Sequence, residues 1–218
     1  MRNKDLSLAC IEVNPKDTAS ISIIWLHGLG ATSDDFVPVA HELQTITQLN
    51  IRFVFPQAPQ MPVTINNGYI MPAWYDIVSF ERGEKIDLEG ITRSVGRVQQ
   101  LIQHEKSLGI NAENIIIAGF SQGAVIALAT LCSATERLAG AIALSGYVPF
   151  KIQPSRFQSP VFIGHGMMDD IVPFELGEIA KKSLEDNNYK VTAQAYPMPH
   201  SVCPEEIRDI GKWIKAIA

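Results

Sequence analysis

The chain has 218 residues, 46% of them hydrophobic and 19% charged, with a net charge of −5. That length suits one domain with a substantial core, and the negative balance offers no basic field for a phosphate backbone, so nucleic acid is not an expected partner. No apolar stretch approaches the ~20 residues of a membrane span. Cys10, Cys132 and Cys203 are odd in number, scattered and without metal-ligand spacing. They point to a reducing compartment, and the expected location is cytoplasmic.

Strands and helices alternate along the chain. Residues 1–10 hold charges at positions 2, 4 and 5 and too few apolar residues for a signal segment. Residues 6–13 and 21–26 read as strands, the second running into His27-Gly28-Leu29-Gly30. Asp34 or Asp35 is placed to cap a helix with Phe36, Val39, Ala40, Leu43 and Ile46 on one face. Residues 51–55 form a strand, and residues 56–73, with prolines at 56, 59, 62 and 72, read as a long loop. Residues 88–108 have helical spacing (Ile91, Val95, Val98, Leu101, Ile102), with Gly109 as the stop. Later strands fall at 115–117, 140–144, 161–163 and 191–196, and later helices at 174–184 and 204–217, with Pro204 near its start. The alternation predicts a single α/β domain over residues 1–218, a mostly parallel sheet with helices on both faces and no large cap.

The segment 114–124, Asn-Ile-Ile-Ile-Ala-Gly-Phe-Ser-Gln-Gly-Ala, carries the chemistry. A β-branched run of this kind suits a strand buried on both faces, and Gly119-Phe120-Ser121-Gln122-Gly123 has the G-x-S-x-G form of a nucleophile elbow. A serine on so sharp a turn needs glycine on both sides if strand and helix are to approach. The alternative is an ordinary strand–helix turn with a serine cap.

A serine hydroxyl is a weak nucleophile near neutral pH and needs a base, which in turn needs an orienting acid. The chain order serine, acid, histidine leaves His165 and His200 as candidates, since His27, His41 and His104 precede Ser121. His200 lies between the last strand and last helix, the place of the base. The segment Gly164-His165-Gly166-Met167-Met168-Asp169-Asp170 is then the source of the acid, and spacing leaves Asp169 and Asp170 both open. No second histidine stands at helical spacing there, so no metal is expected. For the oxyanion, the N–H of Gln122 follows the nucleophile, and the glycines around Leu29 make its N–H the second donor.

With these residues placed, the chain resembles the carboxylesterase and acyl-protein thioesterase family of α/β hydrolases, also called the phospholipase/carboxylesterase family. The resemblance rests on Leu26–Gly30, Phe-Pro-Gln-Ala-Pro (55–59), Pro-Val-Thr-Ile-Asn (62–66), Met-Pro-Ala-Trp-Tyr-Asp-Ile (71–77), Gly-Phe-Ser-Gln-Gly (119–123), Leu-Ser-Gly-Tyr (144–147), His-Gly-x-x-Asp-x-x-Val-Pro (165–173) and His-Ser-Val (200–202). It implies Asp169 as the acid, Ser121 as nucleophile, His200 as base, and Leu29 and Gln122 as oxyanion donors. It also implies hydrolysis of carboxylic esters, acyl thioesters or lysophospholipids through an acyl-serine, with no cofactor and no metal. Small or lipid-like acyl esters and S-acylated proteins are the implied substrates, and a homodimer the implied assembly. The apolar segment 56–80 would supply Met71, Trp74 and Tyr75 to an acyl groove, with core packing the alternative for Trp74. Three departures from the family pattern, Ala31-Thr32-Ser33, Asn67 and Pro199, bear on substrate fit and loop mobility rather than on reaction class. Two further readings are a binding module without turnover and a peptidase on the same triad.

Overall fold

The computed structural model describes residues 8–79 and 86–218. In chain order it forms β1 (Cys10–Val13), β2 (Ile21–Leu26), α1 (Val37–Thr47), β3 (Ile51–Pro56), β4 (Gln60–Val63), β5 (Tyr69–Pro72) and α2 (Leu88–Ser107). There follow β6 (Ile115–Phe120), α3 (Gln122–Cys132), β7 (Gly140–Leu144), β8 (Pro160–Gly166), α4 (Phe174–Glu185), β9 (Lys190–Tyr196) and α5 (Pro204–Ile217). Seven strands make one sheet in the order β1-β3-β2-β6-β7-β8-β9, with β1 antiparallel to β3 and every other neighbour parallel. This is the mostly parallel sheet that the alternation predicts, in the α/β-hydrolase fold that the family resemblance implies.

Side chains alternate across the parallel strands and fill two apolar layers. From β2, Ile24 and Leu26 join Ile115 and Ile117 of β6 against α2 and α3, where Val98, Leu101, Val125 and Leu128 are buried. Ile23, Trp25 and Ile116 face the other way, onto Leu43 of α1 and Ile210, Trp213 and Ile214 of α5. Each such buried aliphatic side chain contributes about 1.5–3 kcal/mol of transfer free energy, so the central strands are pinned in register from both faces. Among the described residues no helix is long and apolar enough to cross a membrane.

Three local expectations need correction. The first helix is capped by Phe36, with no side-chain cap bond; Asp34 and Asp35 lie in the turn before it, and Asp34 O accepts from Val37 N–H. Residues 56–73 are not a loop throughout: β4 and β5 pair antiparallel, Met61 opposite Met71 and Val63 opposite Tyr69. Of the prolines that suggested a loop, Pro62 and Pro72 sit on this two-stranded ribbon, where a missing N–H interrupts no central ladder, and Pro56 closes β3. The first strand starts at Cys10, and residues 6 and 7 lie outside the described residues, as does Phe80 at the end of the apolar segment.

Two buried polar groups mark opposite ends of the sheet. Near the strand N-termini, Arg52 lies 2.9 Å from Glu105 and 3.1 Å from Glu12, and Ser22 Oγ donates to Glu105 at 2.7 Å. Near the C-terminal ends, Glu206 in the first turn of α5 is fully buried over Gly164 of β8, and both its carboxyl oxygens lack hydrogen-bond partners. Burial raises its pKa to about 8. A carboxyl whose folded pKa is raised contributes stability that is complete below its unfolded value, near 4.5, and is lost as pH rises through about 8. Glu206→Gln should therefore flatten a decline of a few kcal/mol over that window. Thermal melts of both proteins from pH 4 to pH 9 measure it, and parallel curves would contradict it.

Candidate active site

The site lies at the C-terminal ends of β2, β6, β8 and β9, where an open parallel sheet binds its ligands. Ser121 follows β6 with φ 55° and ψ −117°, a region that a side-chain-bearing residue enters at a cost of about 1–3 kcal/mol. The flanking glycines make this turn sterically feasible. A Cβ on Gly119 would stand 2.3 Å from the Gly123 carbonyl, and one on Gly123 would stand 2.3 Å from Leu26 O. The first turn of α3 is thereby pressed against the end of β2, and Ser121 N–H is held by Leu144 O at 2.8 Å.

His200 sits in the turn between β9 and α5, its ring packed on Phe120 with centroids 4.7 Å apart. Its Nδ1 is 2.7 Å from Asp169 Oδ2. The Asp169 side chain is completely buried, and its Oδ1 accepts the N–H groups of Ile171 (3.0 Å) and Val172 (2.8 Å). Burial alone would raise this carboxyl. The His200 hydrogen bond and the two backbone N–H groups outweigh it and hold Asp169 below its ordinary value, as the anion. Asp170 is exposed and takes no part. The Asp169 and His200 loops are tied together, Met167 N–H donating to Tyr196 O (2.8 Å) and Met168 N–H to Met198 O (3.1 Å). Pro199 fits this arrangement: its carbonyl lies 2.5 Å from where a Gly166 Cβ would be, and it accepts from Ser201 N–H at 2.8 Å.

Ser121 and His200 line one cavity of about 370 Å³. Leu29 and Gln122 line it as well, with Phe120, Ile65, Tyr75, Ile77, Tyr147, Ile171 and Val172 supplying a largely apolar wall. Gln122 opens α3, so its N–H has no intrahelical acceptor. Leu29 N–H donates to no acceptor among the described residues. Both backbone donors are thus free for an anionic oxygen.

Of the three residues expected in an acyl groove, the structure brings only Tyr75 to the cavity. Trp74 belongs to the core: it is buried, and its Nε1–H donates to His27 O at 2.8 Å. Met71 lies behind the loop, its sulfur 3.5 Å from where a Gly30 Cβ would be. Both shape the oxyanion loop rather than the wall of the cavity. Ile65, which belongs to the apolar segment expected to supply a groove, does line the cavity, whereas Ile77, Tyr147, Ile171 and Val172 were not singled out from the sequence. Tyr147 was visible only as the end of Leu-Ser-Gly-Tyr, and its hydroxyl meets that of Tyr75 at 3.2 Å.

His27 and the Gln122 side chain are the other structural residues that spacing did not reveal. His27 Nδ1–H donates to Gly28 O (2.8 Å) while Nε2 accepts from Ala58 N–H (3.1 Å). Burial lowers the pKa of this imidazole, consistent with the neutral tautomer those partners require. The Gln122 amide accepts from Trp74 N–H (2.8 Å) and donates to Tyr75 O (2.7 Å). Replacing it leaves two buried backbone groups unpaired, at about 1–3 kcal/mol each. Gln122→Ala should therefore lower the unfolding free energy by roughly 2–4 kcal/mol in urea titration; a loss under about 0.5 kcal/mol, the scale of a surface substitution, would contradict the bracing role.

A sequence profile described as Phospholipase/Carboxylesterase matches residues 9–218. The chain is 36% identical over 216 residues to acyl-protein thioesterase 1 of Yarrowia lipolytica, covering 94% of this chain and 95% of that one. It is 34% identical to carboxylesterase SOBER1 of Arabidopsis thaliana over 88% of this chain and 89% of that protein. The crystal structure of SOBER1 superposes with a TM-score of 0.84 over 90% of this chain and 98% of that chain, at 33% identity. The crystal structure of Zea mays acyl-protein thioesterase 2 superposes with a TM-score of 0.83 over 95% and 98%, at 28% identity.

Proposed function

The chain belongs to the phospholipase/carboxylesterase family of ester and thioester hydrolases, and we propose that its reaction runs through an acyl-enzyme on Ser121. In this reading His200 accepts the Ser121 proton as the hydroxyl oxygen attacks the acyl carbonyl. Asp169 holds the imidazole by Nδ1 and stabilises the imidazolium that forms. The N–H groups of Leu29 and Gln122 bind the tetrahedral oxyanion. Collapse breaks the bond to the alcohol or thiol, which takes the proton from His200. Water then repeats the sequence, releasing the carboxylic acid and free Ser121. The observation that carries this reading is the 2.7 Å Asp169–His200 contact beside a cavity shared with the strained Ser121.

The apolar wall suits an aliphatic acyl chain, and a cavity of about 370 Å³ lies within the range of small-ligand sites. We therefore take acyl esters and S-acylated proteins as substrates; the thioesterase relatives support the second. Hydrolysis of p-nitrophenyl esters graded in acyl length, beside matched acyl thioesters, tests this. Turnover that vanishes in Ser121→Ala supports it. A folded wild type inert to both series and unlabelled by a fluorophosphonate would overturn it in favour of a binding module, and cleavage of peptides instead of esters would favour a peptidase.

Two accompanying proposals concern setting and assembly. A cytoplasmic location is supported by three unpaired cysteines, and a fluorescent fusion found outside the cytoplasm would contradict it. A homodimer is supported by the exposed Tyr69 and Ile70 on β5, and a monomeric mass by light scattering at micromolar concentration would contradict it.

A further inference from the structure

The histidine at the end of β8 has no part in the mechanism, yet it is only 1% exposed and sits against the carboxylate. His165 Nε2 lies 2.9 Å from Val172 O and 3.4 Å from Asp169 Oδ2. Both neighbours are acceptors, which assigns the ring proton to Nε2. Nδ1 is buried without a partner and faces α4, where a Cβ on Gly177 would stand 2.4 Å away. Phe174 closes the slot edge-on, with ring centroids 5.8 Å apart. The ring is therefore held in one orientation by a neighbour that cannot be larger than glycine.

We infer that His165 is a positioning residue for the Asp169–His200 pair, fixing the 169–172 turn and the carboxylate within it; the inference rests on the triad reading above. Val172 is gripped at both ends of this arrangement: its carbonyl accepts from His165, and its N–H donates to Asp169 Oδ1 at 2.8 Å. Asp169 Oδ2 lies between two imidazoles, taking the Nδ1–H of His200 at 2.7 Å on one side and facing the Nε2–H of His165 on the other. A carboxylate so surrounded can neither rotate nor drift toward solvent. Among the described residues these two histidines are the titratable groups in contact with Asp169, and Asp170 faces solvent.

His165→Leu removes the donor to Val172 O and the positive edge beside Oδ2. The carboxylate then draws the His200 proton more strongly while the turn that presents it loosens. The expected result is a fall in kcat of about 10- to 100-fold, the scale of a lost hydrogen bond around a charged group. KM should change less than kcat, because His165 does not itself line the cavity and Ile171 and Val172 keep their side chains. The acidic limb of kcat/KM should move to higher pH by about half a unit. His165→Gln, which keeps an N–H at the reach of Nε2, should recover most of the rate and the wild-type limb. Gly177→Ala, which drives the ring from its slot, should reproduce the limb shift with a smaller rate loss.

Asp169→Asn and Ser121→Ala, assayed with the same ester, report separately on the underlying reading: full activity in either would overturn the triad itself. If both lose activity while a folded His165→Leu keeps the wild-type kcat and acidic limb, the positioning role is overturned. If His165→Leu does not fold, an unshifted profile in Gly177→Ala has the same force.

Discussion

Ser121→Ala should reduce turnover of both esters and thioesters by roughly 10⁴- to 10⁶-fold while leaving a folded protein. The members of such a triad act as a unit, so loss of the attacking oxygen cannot be offset by the base or the oxyanion donors. The substitution keeps the Cβ, and with it the positive φ and its strain, so little change in melting temperature is expected. Ser121→Gly, equally inactive, should instead gain about 1 kcal/mol or more, because glycine occupies that backbone region freely. Single-turnover assays with a p-nitrophenyl ester, beside thermal melts of all three proteins, test both halves. Activity retained in Ser121→Ala would remove the nucleophile assignment. Equal melting of the alanine and glycine variants would remove the claim of stored strain.

The second large effect is expected at the acid. Asp169→Asn should lower kcat by about 10⁴-fold, whereas Asp170→Asn should leave it within about twofold. The asymmetry follows from where the carboxyls sit: Asp169 is buried and meets His200 at 2.7 Å, and its neighbour is exposed. An amide at position 169 must present its NH₂ or its oxygen to His200 while the N–H groups of Ile171 and Val172 still require an acceptor. If its NH₂ meets His200, the imidazole is turned to the tautomer with Nε2 protonated, which cannot take the serine proton. A pH consequence accompanies this. The folded pKa of Asp169 is depressed, so its contribution to stability is present above the unfolded carboxylate range and is lost as pH falls through the folded value. Asp169→Asn should therefore remove an acid-labile component of stability, seen as shallower melting-temperature loss on acidification. Comparable rates in Asp169→Asn and Asp170→Asn would overturn the assignment.

The central strands and the paired loops of the site were legible because their signals are local. Ile115, Ile116 and Ile117 admit few structures other than a buried strand, and the glycines on either side of Ser121 have one evident reason to be there. Chain order then narrowed the base to His165 or His200, and the place of His200 between the last strand and last helix selected it. Spacing could not separate Asp169 from Asp170, since adjacent carboxyls differ only in which way the backbone turns them; the family pattern separated them, and the structure puts Asp169 at His200. The β4–β5 hairpin was hidden by its prolines, which on a central strand would be disqualifying and on an isolated ribbon are not. Trp74 was misplaced toward the acyl groove because exposure of an aromatic in a loop depends on packing far along the chain, here on His27 and Gln122. His165 could be numbered but not understood. Its part depends on Gly177 and Val172, and only the folded chain brings these together.

The hairpin also limits how variants of this protein can be interpreted. Pro72 O accepts from Gly30 N–H at 2.8 Å, and two residues on, Trp74 N–H is held by the side chain of Gln122. One short ribbon is therefore fastened to both of the segments that carry the proposed oxyanion donors, while the residues between its strands contribute Ile65 to the cavity. Selectivity and rate share a mechanical linkage. A substitution in the hairpin chosen to admit a longer chain will also nudge the two donors, so its kcat and KM should change together, and a screen ranked by affinity alone would discard the more active variants.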